Sequence, residues 1–107
     1  MEITADKVAE VIIMARELHR AEGELDAFIE RLSELEQAEL VAIFWIGRGS
    51  YEAEEWTEVL NLAQSEANTP TQDYLKGSPH LADHLEAGLE ALGIDAAAEE
   101  NSLYRGG

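Results

Sequence analysis

The chain has 107 residues, 46% of them hydrophobic, and its 23 Asp and Glu against seven Lys and Arg give a formal net charge of −16. This length suits one domain with a modest core, and the composition is that of a globular protein, not a disordered one. The acidic balance excludes ordinary nucleic-acid and anionic-membrane binders, which attract phosphate through Lys and Arg, and the lack of cysteine excludes a disulfide framework or a thiolate nucleophile.

The opening stretch "MEITADKVAEVII" has no basic region ahead of its apolar residues and does not read as a signal peptide. The longest apolar run, "LVAIFWI", falls far short of the ~20 residues that cross a bilayer. A cytoplasmic protein with neither nucleic acid nor membrane as a partner is expected.

Thr4 is placed to cap a first helix, in which Val8, Val11, Ile12, Ala15 and Leu18 follow the 3.6-residue period. Ile13 and Met14 widen that stripe, which suggests neighbours on more than one side, and Gly23 is the expected stop. Leu25, Phe28, Ile29 and Leu32 repeat the period over a short second helix. Ser33 followed by Glu36 forms a capping-box pattern, and "ELEQAEL" consists of good helix formers. The run "LVAIFWI" alone is compatible with a strand, but behind that cap it reads as the second half of a helix buried on all sides.

The run ends in Gly47-Arg48-Gly49-Ser50. A glycine-flanked loop before a helix can cradle phosphate, but this one lacks the Walker spacing and lysine. Glu52, Glu54 and Glu55 also stand where the anion would bind, and one like-charge contact at ~4 Å costs about 4 kcal/mol at an effective dielectric of 20. The residues read instead as a turn: Gly47 in the left-handed conformation that closes the buried helix, Gly49 permitting the reversal, and Ser50 capping the next helix. Arg48 then lies between a helix end and an acidic helix start, where negative charge favours it.

Trp56, Val59, Leu60, Ala63 and Ala67 mark a fourth helix, ending at Asn68. In Thr69-Pro70-Thr71-Gln72, a cap, a proline at the first helical position and a capping-box glutamine open a short fifth helix, which Gly77 stops. Ser78-Pro79 repeats the device for a last helix with Leu81, Leu85, Gly88, Leu89 and Leu92 on one face, closed by Gly93. The expectation is an all-α fold, a compact orthogonal bundle of five or six helices forming a single domain over residues 1–94, with residues 95–107 as a frayed or disordered tail.

The stretches "ADKVAEVIIMARE", "AELVAIFWIGRGSYEAEEW" and "TQDYLKGSPHLADHLEAGLEALG" together resemble a bacterial family of small uncharacterised proteins, a domain of unknown function. The resemblance rests on Glu39 to Ala42, Trp45, Gly47 to Gly49, Trp56, Tyr74, Leu75, Gly77, Pro79, and Leu85 to Gly93, and it covers most of residues 4–93. Relatives often carry a longer acidic insert where this chain has "HRAEGE", and aspartate where it has Ser50; either residue caps a helix. The resemblance implies one small cytoplasmic domain, and no activity, catalytic residue or cofactor.

Two clusters bear on function. His80 and His84 share a helix face at i, i+4 with Asp83 beside them, the spacing of a two-histidine metal site. A turn further on, however, the chain has Ala87 and Gly88, and neither His-Glu-x-x-His nor a third histidine in register is present. Arg48, Tyr51 and Trp56 gather the residue types that dominate protein–protein hot spots, and they are the candidate partner patch. The competing possibility is that ring and guanidinium stack within the fold. No strained serine elbow occurs, and paired carboxylates cannot be placed across a cleft from sequence. The favoured expectation is an interaction or regulatory module without a cofactor, acting on an unidentified protein partner or as a homodimer. A metal-binding protein or metal-dependent enzyme built on His80 and His84 is second, and an acidic DNA mimic is third.

Overall fold

In a computed structural model, described over residues 1–94, the chain forms α1 (Ala5–Arg16), α2 (Leu18–Arg31), α3 (Glu34–Gly47), α4 (Trp56–Ser65), α5 (Thr71–Lys76) and α6 (Leu81–Ala91). A 3-10 turn at Ala53–Glu55 leads into α4, and no strand occurs among the described residues. The architecture is the expected all-α bundle. The tail expectation for residues 95–107 lies outside the described residues.

Helix α3 is the axis of the molecule. Every residue from Ala38 to Ile46 is buried, and the apolar run is helical because Ser33 starts it: its Oγ accepts from the Glu36 N–H at 3.1 Å, while Glu36 Oε1 accepts from the Ser33 N–H at 3.0 Å. Helices α6 and α4 pack along α3, α5 touches both α2 and α3, and α1 joins the assembly through α2 and α6. One continuous core results, reaching from Ile3 to Leu89.

The closest approach is between α3 and α6. A Cβ on Gly47 would lie 1.6 Å from the His84 carbonyl oxygen, and one on Gly88 would lie 2.2 Å from that of Ile43. The absence of side chains at both positions lets the two backbones touch. Gly47 therefore does not take the left-handed position expected of it. That role falls to Gly49, with φ 87°, whose N–H bonds Ile46 O while Ser50 N–H bonds Trp45 O, a Schellman closure. Gly93, with φ 75°, closes α6 in the same way through Glu90 O and Leu89 O, as expected.

Several other boundaries differ from the sequence reading. Gly23 lies inside α2, and the break between the first two helices falls at Glu17, whose N–H turns back to Met14 O. Ile13 points to solvent with 52% exposure, whereas Met14 is buried. Ser50 caps no helix: the turn before α4 begins at Glu52, whose N–H donates to Glu55 Oε1 at 3.0 Å. Helix α4 ends at Ser65, before Asn68. Pro70, not Thr69, precedes the first residue of α5, and Gln72 reaches away to Glu30 of α2. His80, with φ 61°, leads into α6 in place of a Ser78-Pro79 cap.

The core also encloses a carboxylate. Glu39 is only 2% exposed, and its two oxygens accept from the backbone N–H groups of Glu2 at 2.8 Å and Ile3 at 2.7 Å. These bonds replace the water that the charge loses on burial.

Candidate functional site

Phe44 and Trp45, adjacent on α3, organise the surface around its C-terminal half. The Phe44 ring is buried edge-on against Tyr74, with centroids 6.3 Å apart, and against His84 at 5.6 Å. The Arg48 guanidinium carbon lies 5.1 Å from the centre of the same ring, one turn along the helix. The Trp45 indole N–H donates to Tyr74 Oη at 2.8 Å, and its ring lies 6.0 Å from that of Tyr51.

The three residues of the candidate patch are therefore tied to α3 and the core, and among the described residues no hydrogen bond, ring pair or cation–π contact joins them to one another. Arg48 is exposed, stacks on Phe44 and donates from Nε to Ser50 Oγ at 2.8 Å. Tyr51 is half-buried against Trp45, and half-buried Trp56 packs against the core at the start of α4. The stacking anticipated as a competitor occurs, but on Phe44.

Arg48 differs from most of the other cations. Lys7 is 2.7 Å from Glu36, Arg20 is 3.8 Å from Glu17, Lys76 is 2.8 Å from Glu22 and 2.9 Å from Asp26, and Arg16 pairs with Glu86 and Asp83. Asp26 and Glu22 hold the Lys76 ammonium well above its ordinary pKa, and the hydrogen bond to Glu86 raises that of the Arg16 guanidinium. Arg48 has no carboxylate within 4.0 Å among the described residues. Arg31 shares that property, but among the described residues no aromatic ring lies beneath it.

At the other cluster, the His80 and His84 rings stand edge to face, 6.4 Å apart. His84 leans on Phe44, and Asp83 lies 3.8 Å from Arg16. Among the described residues, no three His, Asp or Glu side chains converge in a way that could hold a metal ion. A cavity of about 540 Å³ beside His80 contains Arg16 and Lys76, both already neutralised by carboxylates.

The sequence reading missed a groove of about 770 Å³ between α3, the end of α4 and α5. Ala38, Val41 and Trp45 are the buried residues that α3 presents to it. Ala63 and Ala67 line it from the α4 side, and Thr71 and Tyr74 from α5. Trp45 thus belongs both to the Tyr51 corner and to the groove. A buried indole needs a partner for its N–H, and that requirement was the available signal that Trp45 does more than fill space.

The fold and this surface define a small acidic all-α domain built on one buried helix. The chain belongs to the family described as "Protein of unknown function (DUF3775)", whose profile matches residues 22–94. The match takes in the glycine turn, the groove and α6 but leaves α1 outside, so the resemblance read over residues 4–93 is shown from residue 22 onward. No curated protein and no solved structure matches the chain. Among the described residues, no helix is long and apolar enough to cross a membrane.

Proposed function

We propose that the domain is a cytoplasmic protein–protein interaction module whose binding face centres on the Arg48–Tyr51–Trp56 corner. The observation that carries this reading is the state of Arg48. In a chain of net charge −16, an exposed arginine is stacked on Phe44 with both terminal nitrogens free of partners among the described residues. Stacking restrains the side chain before any partner arrives, which reduces the entropy lost on binding, and the planar fork suits a carboxylate or carbonyl acceptor. Among the described residues no third ligand joins His80 and His84, so the metal-binding alternative draws no added support from the geometry.

Light scattering on the full chain decides first whether the partner is a second copy. Immobilised wild-type and Arg48→Ala proteins, matched for helical circular dichroism, are then compared for capture from the source cell extract. The expectation is that one defined protein, or the second copy, binds wild type and loses affinity roughly tenfold or more with Arg48→Ala. Equal capture by both proteins, or a monomer that captures nothing, removes the reading.

A further inference from the structure

We propose that the groove between α3, the end of α4 and α5 is a docking cleft for an extended, lysine- or arginine-bearing peptide segment of a partner protein, a proposal that rests on the interaction-module reading above. Its charge is one-sided. Glu34 and Glu66 line the groove, neither has an ion-pair partner among the described residues, and no Lys or Arg is among its lining residues. The segment that offsets those carboxylates is a basic one.

Shape agrees with charge. Ala38, Val41 and Trp45 form a continuous apolar row on α3, and alanine at 38, 63 and 67 keeps the groove open at about 770 Å³. The aliphatic stem of a lysine or arginine can lie along such a row while its head reaches a carboxylate at the rim.

Hydrogen bonding favours a peptide over an isolated cation. Gln37 donates both amide hydrogens inward, from Nε2 to Ile29 O at 3.0 Å and Leu32 O at 3.1 Å, which leaves its Oε1 as an acceptor. Tyr74 Oη accepts from Trp45, which leaves its own hydroxyl proton to donate. A peptide backbone supplies one N–H and one C=O per residue, and the groove offers a counterpart for each.

The test uses the full chain, labelled with ¹⁵N and titrated with capped peptides of alternating lysine and alanine, alternating arginine and alanine, and alternating glutamate and alanine. The expected result is a shift of the Trp45 indole N–H and of amides around 37–45 and 67–74 with the basic peptides alone. Glu34→Gln with Glu66→Gln should weaken binding about tenfold. Glu10→Gln with Glu90→Gln, which removes equal charge from exposed positions outside the groove, should change it less than about twofold. Ala67→Trp, at an exposed lining position, should block the groove with charge unchanged. Shifts scattered over the acidic surface, equal weakening by the two charge pairs, full binding by Ala67→Trp, or no shift with either basic peptide would overturn the proposal. A silent groove combined with partner capture that still depends on Arg48 removes the cleft and leaves the interaction module standing. Groove binding with capture indifferent to Arg48 leaves the cleft standing and removes the Arg48–Tyr51–Trp56 corner as the centre of the binding face.

Discussion

At Gly88 an added methyl would meet the Ile43 carbonyl oxygen at 2.2 Å and Ile43 Cγ2 at 2.8 Å, and backbone cannot rotate out of the way as a side chain can. Gly88→Ala must push α6 away from α3, an overpacking cost of about 3 kcal/mol. Urea unfolding should show a lower midpoint with an unchanged slope, and an unshifted midpoint would mean that the helices separate without loss. The sequence placed Gly88 on the apolar face of the last helix but assigned Gly47 to the wrong task. In Gly-Arg-Gly, either glycine satisfies the local rules for ending a helix. What separates them is a contact with His84, a residue thirty-seven positions away that no local pattern brings near. The same limit hid the groove: Tyr74 read as part of a short helix, and only tertiary packing puts its hydroxyl under Trp45.

Among the elements, α3 was the most legible because two independent signals agreed, the capping box at Ser33 and Glu36 and an apolar run too long to leave exposed. The break between α1 and α2 was the least legible. Arg16, Glu17 and Leu18 are ordinary helix formers, and the chain turns there because α1 and α2 pack on each other, while Gly23, the residue that looked like the stop, continues the helix. Nothing lies within 4 Å of a Cβ built at Gly23. Gly23→Ala should therefore stabilise the fold by about 0.5–1 kcal/mol, seen as a higher thermal midpoint. A destabilised variant would mean that α2 does not continue through that position.

The link from α3 to α1 is pH-dependent. The hydrogen bond from the Lys7 ammonium, aided by the Ser33 N–H, holds the Glu36 carboxyl below the ordinary glutamate range. Because the folded value is depressed, its contribution is complete above the unfolded value of about 4.3 and is lost as pH falls through the folded one. Lys7 is 44% exposed, so the contribution is about 0.5–1 kcal/mol. The stability gap between wild type and Glu36→Gln, measured by urea unfolding at pH 6 and again at pH 3, should narrow at the lower pH. A constant gap would show that the pairing adds nothing.

For the whole molecule, repulsion outweighs pairing. The described residues span 40 × 34 × 24 Å, comparable to the Debye length of about 30 Å at 10 mM salt, so most of the acidic groups act on one another. Exposed ion pairs such as Arg20–Glu17 recover little of this. Raising salt from about 10 mM to 0.5 M should increase the thermal midpoint by several degrees in calorimetry, whereas a fall would mean that attractive pairs dominate. Composition alone made that balance legible. It could not show which face stays unneutralised, because that depends on where the seven basic residues land.

Glu39 gives the fold a closed loop. Its bonds to Glu2 and Ile3 span 37 and 36 residues and tie the base of α3 to the segment that precedes α1, with all of α1 and α2 in between. In a chain without cysteine this is a non-covalent clasp, and like a covalent one it removes freedom from everything it encloses. The segment before the first helix cannot then fray independently, since each departure would leave a buried carboxylate with fewer donors. Hydrogen exchange at the Ile3 amide should be as slow as at Ile43 in the middle of α3. Exchange at the rate of an unprotected chain end would mean that the clasp opens without disturbing the core.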